Sequence, residues 1–189
     1  VENEVKNIKI DYKQAKKIYN LLKLINYSTG FYAGEPIIKH IHGFQAMILE
    51  NIFCLYYDNG KRVVEEVYLE IGRKAGKSFI SALIELLIML TSPQFAQTAC
   101  AGKTRDISSL VRTSLVELIK SSPYIKKYFK ITRDKITCTM NECTMKHLSG
   151  EADNINGLLL SSYVVDEVAN QTDSSIIDAL KLSQMSTKT

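Results

Sequence analysis

Long hydrophobic runs are missing from this sequence. The longest, Phe79 to Leu90, is broken by Ser81 and Glu85 and falls short of a bilayer span. The N-terminus is charged and has no apolar signal region. Tryptophan is absent, and no internal repeat or low-complexity tract argues for a solenoid or an unfolded chain. The four cysteines, Cys54, Cys100, Cys138 and Cys143, form no CxxC pair. Only His147 lies near Cys138 and Cys143, which is not a zinc-finger pattern, so free thiols in a reducing cytoplasm are expected. Charge of one sign is scarcely in excess: 24 Lys and Arg against 20 Asp and Glu give a net charge of +4. That permits a polyanionic partner without demanding one. Lysines cluster at Lys13, Lys16, Lys17 and Lys23, and again at Lys120, Lys126, Lys127, Lys130 and Lys135. Each cluster is either a solvated face or a contact for DNA.

What is present is globular. The 189 residues are 46% hydrophobic and 23% charged, which suits one soluble domain. Apolar spacing predicts a helix over Asp11–Ile25, capped by Asp11, then a loop over Asn26–Pro36 and a second helix over Pro36–Tyr57. After the Asp58-Asn59-Gly60 turn, Val63–Ile71 reads as a strand and Gly76–Leu90 as a buried helix. Phe95–Ala101 reads as a strand, Thr104–Ser121 as a helix and Pro123–Phe129 as a short helix. Ile131–Leu148 reads as two or three short strands, Leu158–Val165 as a central strand and Ser174–Leu182 as a last helix. Strands alternating with helices predict an α/β fold with a mainly parallel sheet and helices on both faces. Ligands in such sheets bind beyond the carboxyl ends of the strands.

One such end carries Gly72-Arg73-Lys74-Ala75-Gly76-Lys77-Ser78. A turn ending in Gly-Lys-Ser between strand and helix is the layout of a phosphate-binding loop. The unpaired N–H groups of the helix start can hold an anion, Lys77 can reach the outer phosphates, and the Ser78 hydroxyl can ligate Mg²⁺. The pattern has a defect, because Ile71 stands where the first glycine belongs and Gly72 is one place late. An ordinary basic turn is the alternative reading. A second motif ends the central strand at Val165-Asp166-Glu167. Asp166 can hold Mg²⁺ through its water shell, and Glu167 can orient and deprotonate an attacking water. Chance acids at a strand end are the alternative, but Mg·ATP hydrolysis needs both motifs together.

With both motifs in place, the chain resembles the ATPase domain of the large terminase subunit of tailed bacteriophages. The resemblance runs from about Ile41 to Thr189 and rests on four stretches in order: Gly43-Phe44-Gln45, the Gly72–Ser78 turn, Leu148-Ser149-Gly150-Glu151-Ala152-Asp153 leading through Gly157 to Asp166-Glu167, and Ser186-Thr187. Terminases carry an Arg-Lys-x-Gly-Lys-Ser form, often without the first glycine, which accounts for Ile71. The resemblance implies a P-loop NTPase fold that binds ATP and Mg²⁺. Residues 1–60 would form a helical segment with the adenine-binding region, and residues 61–189 the ATPase core. Gln45 would read the adenine edge, with a plain helix-face glutamine as the alternative. Gly72, Arg73, Lys74, Ala75, Gly76, Lys77 and Ser78 would cradle the nucleotide. Arg73 would stabilise transition-state charge or sense the nucleotide, with a surface charge as the alternative, while Lys74 also reads as a solvated charge. Asp166 and Ser78 would hold the metal, Glu167 would be the base, and Ser186 or Thr187 would couple the nucleotide state to DNA grip.

The implied partners are double-stranded DNA, a portal protein, a small terminase subunit and further copies in a ring. The implied location is the host cell cytoplasm, with no membrane. Asn156 stands where related motors often place an arginine, so no arginine supplied to a neighbour is named; Arg105 and Arg112 are unsupported alternatives. No acid cluster resembles a two-metal nuclease, and the sequence begins without Met. Those features lead to the expectation of a fragment or an isolated ATPase domain. Competing readings are a helicase-like ATPase, although no second phosphate loop occurs, and a non-catalytic nucleotide-regulated docking module. A small-molecule kinase fits less well, because Glu167 beside Asp166 suits activation of water.

Overall fold

The computed structural model describes residues 7–72, 74–102, 105–149, 155, 157–168 and 174–185. Strand β1 (Ile8–Ile10) pairs antiparallel with β2 (Leu55–Tyr57) in a separate two-stranded ribbon. Helix α1 (Tyr12–Leu22) starts where Asp11 caps it: Oδ1 accepts from the N–H groups of Lys13 at 2.9 Å and Gln14 at 3.0 Å. The helix ends three residues before Ile25, which is nonetheless buried.

The predicted helix Pro36–Tyr57 is three elements. A 3₁₀ turn covers Ile37–Lys39, helix α2 covers Gly43–Cys54, and the last residues become β2. Apolar spacing alone cannot see the break, because Ile37, Leu49 and Phe53 enter the same core from both sides of it. The second correction is Val63–Ile71, which is no strand of the described sheets. Its β-branched residues favour an extended backbone, but a ladder also needs a partner chain within reach. Leu69 and Ile71 pack on the core, while Val67 and Tyr68 are exposed.

Helix α3 (Lys77–Thr91) is mostly apolar after its first turn, and most of its residues from Ile80 onward are buried, the charged Glu85 among them. Ile80, Leu83, Leu86, Leu87 and Met89 have no exposed surface. It packs against α4 (Arg105–Ser121), whose Val111, Leu115, Leu118 and Ile119 are buried. Leu110, on the same helix, is exposed. Helix α5 (Pro123–Lys126) has Pro at its start, where the missing N–H costs nothing.

The main sheet has the order β4-β5-β6-β3-β7. Its parallel part is β6 (Cys143–Ser149), β3 (Gln97–Gly102) and β7 (Leu160–Val165). Strands β4 (Phe129–Ile131) and β5 (Lys135–Cys138) extend it as an antiparallel hairpin. Cys100, Met145, Ile136 and Val164 face α3 and α4 in the main core. Ala99, Ala101, Leu148, Tyr163 and Val165 face the other way, where α6 (Ser175–Met185) covers β7 with Ile176 and Leu180. The α/β fold with a parallel centre and helices on both faces is thus as expected, with an antiparallel edge added; β7, expected at the centre, is instead the last strand of the described sheet, paired with β3 alone. All four cysteines are buried free thiols, including Cys138 and Cys143, which are paired across β5 and β6.

Candidate nucleotide-binding site

Three parallel strands end on one edge of the sheet, and α3 begins there. Glu85 on α3 meets Thr98 on β3 through a hydrogen bond from the threonine hydroxyl. Asn141, just before β6, donates from Nδ2 to the carbonyls of Met89 at 3.0 Å and Ser92 at 2.9 Å. The carboxyl end of α3 therefore sits at the amino end of the strands, and α3 runs antiparallel to them. From Glu85 back to Lys77 the helix rises about 12 Å. From Thr98 on to Gly102 the strand rises about 13 Å. Lys77 is thus level with the carboxyl ends of β3 and β7.

Gly76 is the N-cap of α3, with φ 81°, a left-handed conformation that favours glycine. It has no side chain, so no side chain caps the free N–H groups of the first turn. The first helical bond runs from Ile80 N to Gly76 O at 2.9 Å. Lys74 also lies in the left-handed region, at φ 65°, and Ala75 N closes a turn on Gly72 O at 3.3 Å. Gly72, Lys74, Ala75 and Lys77 are exposed or half-buried on this open turn, and Ser78 is half-buried.

Gln45 is brought to the same turn from α2. It is buried, its Oε1 accepts from His42 N at 3.2 Å, and its Nε2 lies 3.6 Å from where a Cβ on Gly76 would stand. Oε1 keeps a second lone pair for a ligand. Asp166 extends the ladder past β7, its N–H donating to Ala101 O at 3.1 Å. Its side chain is buried at 6% exposure, and Oδ1 accepts from Glu167 N at 2.9 Å. Glu167 follows at φ 53°, in the left-handed region, so the chain turns sharply as it leaves β7. A buried carboxylate at the carboxyl end of β7, and an exposed turn with lysine and a serine hydroxyl at the start of α3, are donor types suited to a phosphate and a hard cation.

The family model described as terminase large subunit, ATPase domain, matches residues 43–188. The chain belongs to that family. The solved large terminase of bacteriophage HK97 has a similar fold, with a TM-score of 0.74 at 19% identity over 94% of this chain and 36% of that one. The large terminase of a thermophilic bacteriophage, solved with ADP, matches with a TM-score of 0.46 at 22% identity over 60% of this chain and 29% of that one. This chain thus spans about a third of the length of the HK97 protein. No curated protein matches it in sequence.

Several expected site residues lie outside the described residues: Arg73, the Gly150–Asp153 stretch, Asn156, Ser186 and Thr187. Two features of the site were not anticipated from sequence. The first is an aromatic cluster above the phosphate turn. Tyr27 stacks on Phe79, the residue after Ser78, at 5.2 Å between centroids, and Tyr32 stacks on His40 at 3.8 Å. The closeness of Tyr27, Tyr32 and His40 in sequence was the available signal, but their shared position appears only when the loop folds back through the Asn26–Pro36 bridge. The second is Glu85, fully buried in the middle of α3. Burial pushes its carboxyl up to about 7, with the Thr98 hydroxyl pulling the other way. A charged residue inside an apolar helix was the signal.

Proposed function

We propose that this chain is the ATP-hydrolysing part of a viral DNA-packaging motor, driving double-stranded DNA into a capsid. The observation that carries the reading is the uncapped, left-handed Gly76 at the start of α3, on the sheet edge that also presents Asp166 and Glu167. Lys77 and the N–H groups after Gly76 hold the outer phosphates, and Gln45 offers its amide to the adenine edge. Ser78 and Asp166 are the residues that would hold Mg²⁺, which when bound neutralises phosphate charge. Glu167 orients the attacking water and takes its proton, a role typically worth 10²–10⁴-fold in rate. Arg73, next to the cradle in sequence, would stabilise charge in the transition state, and Ser186 or Thr187 would pass the nucleotide state to the part that grips DNA. Portal protein, small terminase subunit and ring neighbours are the partners, and the host cytoplasm is the setting.

Glu167→Gln should keep ATP binding and lose turnover by about 100-fold or more. Lys77→Ala should lose both. Steady-state hydrolysis and nucleotide titration with DNA and partner subunits present check this. Undiminished turnover in Glu167→Gln would remove that residue from the mechanism. Tight ATP binding with no turnover in the parent protein would favour the docking module instead.

A further inference from the structure

The face of the sheet opposite α3 and α4 is covered unevenly. Among the described residues, α6 packs against β7 at one end, and no helix packs closely on β4, β5 or β6 from that side. The register shows what stands there. Lys135 on β5 lies directly opposite Lys146 on β6, and Lys146 in turn pairs with Ala99, which faces the α6 side. Lys130 on β4 pairs with Thr137, which shares the face of Lys135 because side chains alternate along a strand. Lys130, Lys135 and Lys146 therefore project from one side of three adjacent strands, and all three are exposed. Arg133, at the β4–β5 turn, and Lys126 and Lys127, just before β4, are exposed nearby.

This arrangement costs stability when nothing is bound. Like charges directly opposite across an antiparallel pair repel. Among the described residues no ion pair engages any of these lysines. The exposed acids close in sequence, Asp134 and Glu142, lie in the connecting turns rather than on the face. Between the lysines stand Thr137, which is buried, and Thr144, which is half-buried, while Leu148 beyond Lys146 packs toward α6. A protein interface would centre on buried aromatic or aliphatic anchors, and a single-strand groove would carry aromatic stacking platforms. Point charges on flexible stems, on an open face without anchors, suit a regular row of phosphates.

We propose that Lys130, Lys135 and Lys146 form a contact surface for the phosphate backbone of double-stranded DNA. The surface adds to the packaging-motor reading the place where the duplex touches this domain, and it rests on that reading for the identity of the polyanion. It binds without regard to base sequence, since no group on it is shaped to read base edges.

The test is binding of a short fluorescent DNA duplex to the full chain across a salt series, with ATP hydrolysis followed in parallel. Replacing all three lysines by alanine should weaken binding at least about tenfold at low salt and flatten the slope of log affinity against log salt by about 2 to 3. Basal hydrolysis should not change. Replacing them by arginine should retain the binding. Unchanged affinity and slope in the alanine variant would overturn the proposal, as would equal loss in the arginine variant, which would mark a structural defect. Competition by poly-glutamate but not by excess duplex would assign the face to an acidic protein and also overturn it. If the parent protein hydrolyses no ATP yet its duplex binding depends on the three lysines, the surface stands and the motor reading falls. If hydrolysis is normal and the lysines do not matter, the surface alone falls.

Discussion

The two halves of the main sheet treat charge in opposite ways. In the parallel half, strands β3 and β7 are covered on both faces, with Cys100 and Val164 on one side and Ala99 and Ala101 on the other, and only β6 at its border carries an exposed lysine, Lys146. Acids are confined to the strand end, at Asp166 and Glu167. In the antiparallel half, β4-β5, one face is buried through Ile136 and Cys138 and the other carries lysines along its length. The cause is topological. Parallel strands need crossover helices, which cover faces and leave only the ends open to a ligand. A hairpin needs only a short turn, so one face stays in water and can display a row of like charges. The difference teaches where each kind of partner fits: a small charged ligand at an end, an extended polyanion along a face.

Glu85 is the exception that tests the covered half most severely. It is fully buried on α3, and its Oε2 has no hydrogen-bond partner among the described residues. Cys100, held well above its usual range mainly by burial, and Cys143, pushed up to about 12 by burial, both feel its charge, and Asp166 also acts on Cys100. Because burial raises the Glu85 carboxyl in the folded state, the fold binds this proton more tightly than the unfolded chain does. Its contribution is fully present below the unfolded value of 4.5 and is lost as pH rises to about 7. The loss is of order 3 kcal/mol. Glu85→Gln should therefore melt higher than the parent at about pH 8 and lose that advantage near pH 5. Thermal melts across pH measure it; parallel curves for the two proteins would mean that the carboxyl is not held protonated by the fold.

A smaller effect is expected at the open end of the same half. Gly76→Ala places a Cβ at ordinary contact distance from Gln45, so space is not the obstacle, but the φ of 81° is strained for alanine. The cost should be about 1–2 kcal/mol in denaturant unfolding, together with weaker nucleotide binding. A change near zero would show that the turn relaxes without its left-handed residue. The smallest effect belongs to the lysine face. Lys135→Thr should stabilise the free protein by about 0.2–1 kcal/mol at low salt, because the pair with Lys146 is repulsive. That gain should shrink as salt screens the charges. A loss of stability at low salt would mean that the lysine stems contribute more by packing than their charges cost.

Much of the site was legible in the sequence because it is local. Gly76-Lys77-Ser78 before an apolar run specifies a glycine that can be left-handed and a helix that must be buried. Asp166-Glu167 after an apolar strand marks a strand end. The fold was legible where one element buries one stripe, as in α1 and α4. It was not legible where pairing decides, since Ile8–Ile10 is too short and exposed to stand out, and Val63–Ile71 has strand composition without a ladder partner. Nor could spacing reveal that Gln45 would reach Gly76, or that Lys146 would complete a basic face begun by Lys130 and Lys135, since both depend on register between distant segments.

By itself, then, the sequence determined the chemistry: a glycine turn with lysine and serine, two acids at a strand end, and a family likeness carried by their order. Those depend on residue type and on neighbours a few places away, which the chain encodes directly. Only the tertiary structure decided which groups meet. The antiparallel run of α3 against β3 puts Lys77 level with the carboxyl ends of the strands, the fold of α2 brings Gln45 to the Gly76 turn, and the β5–β6 register sets Lys135 against Lys146. Such meetings are set by strand pairing and core packing across long separations, where a shift of one residue would turn every side chain to the other face.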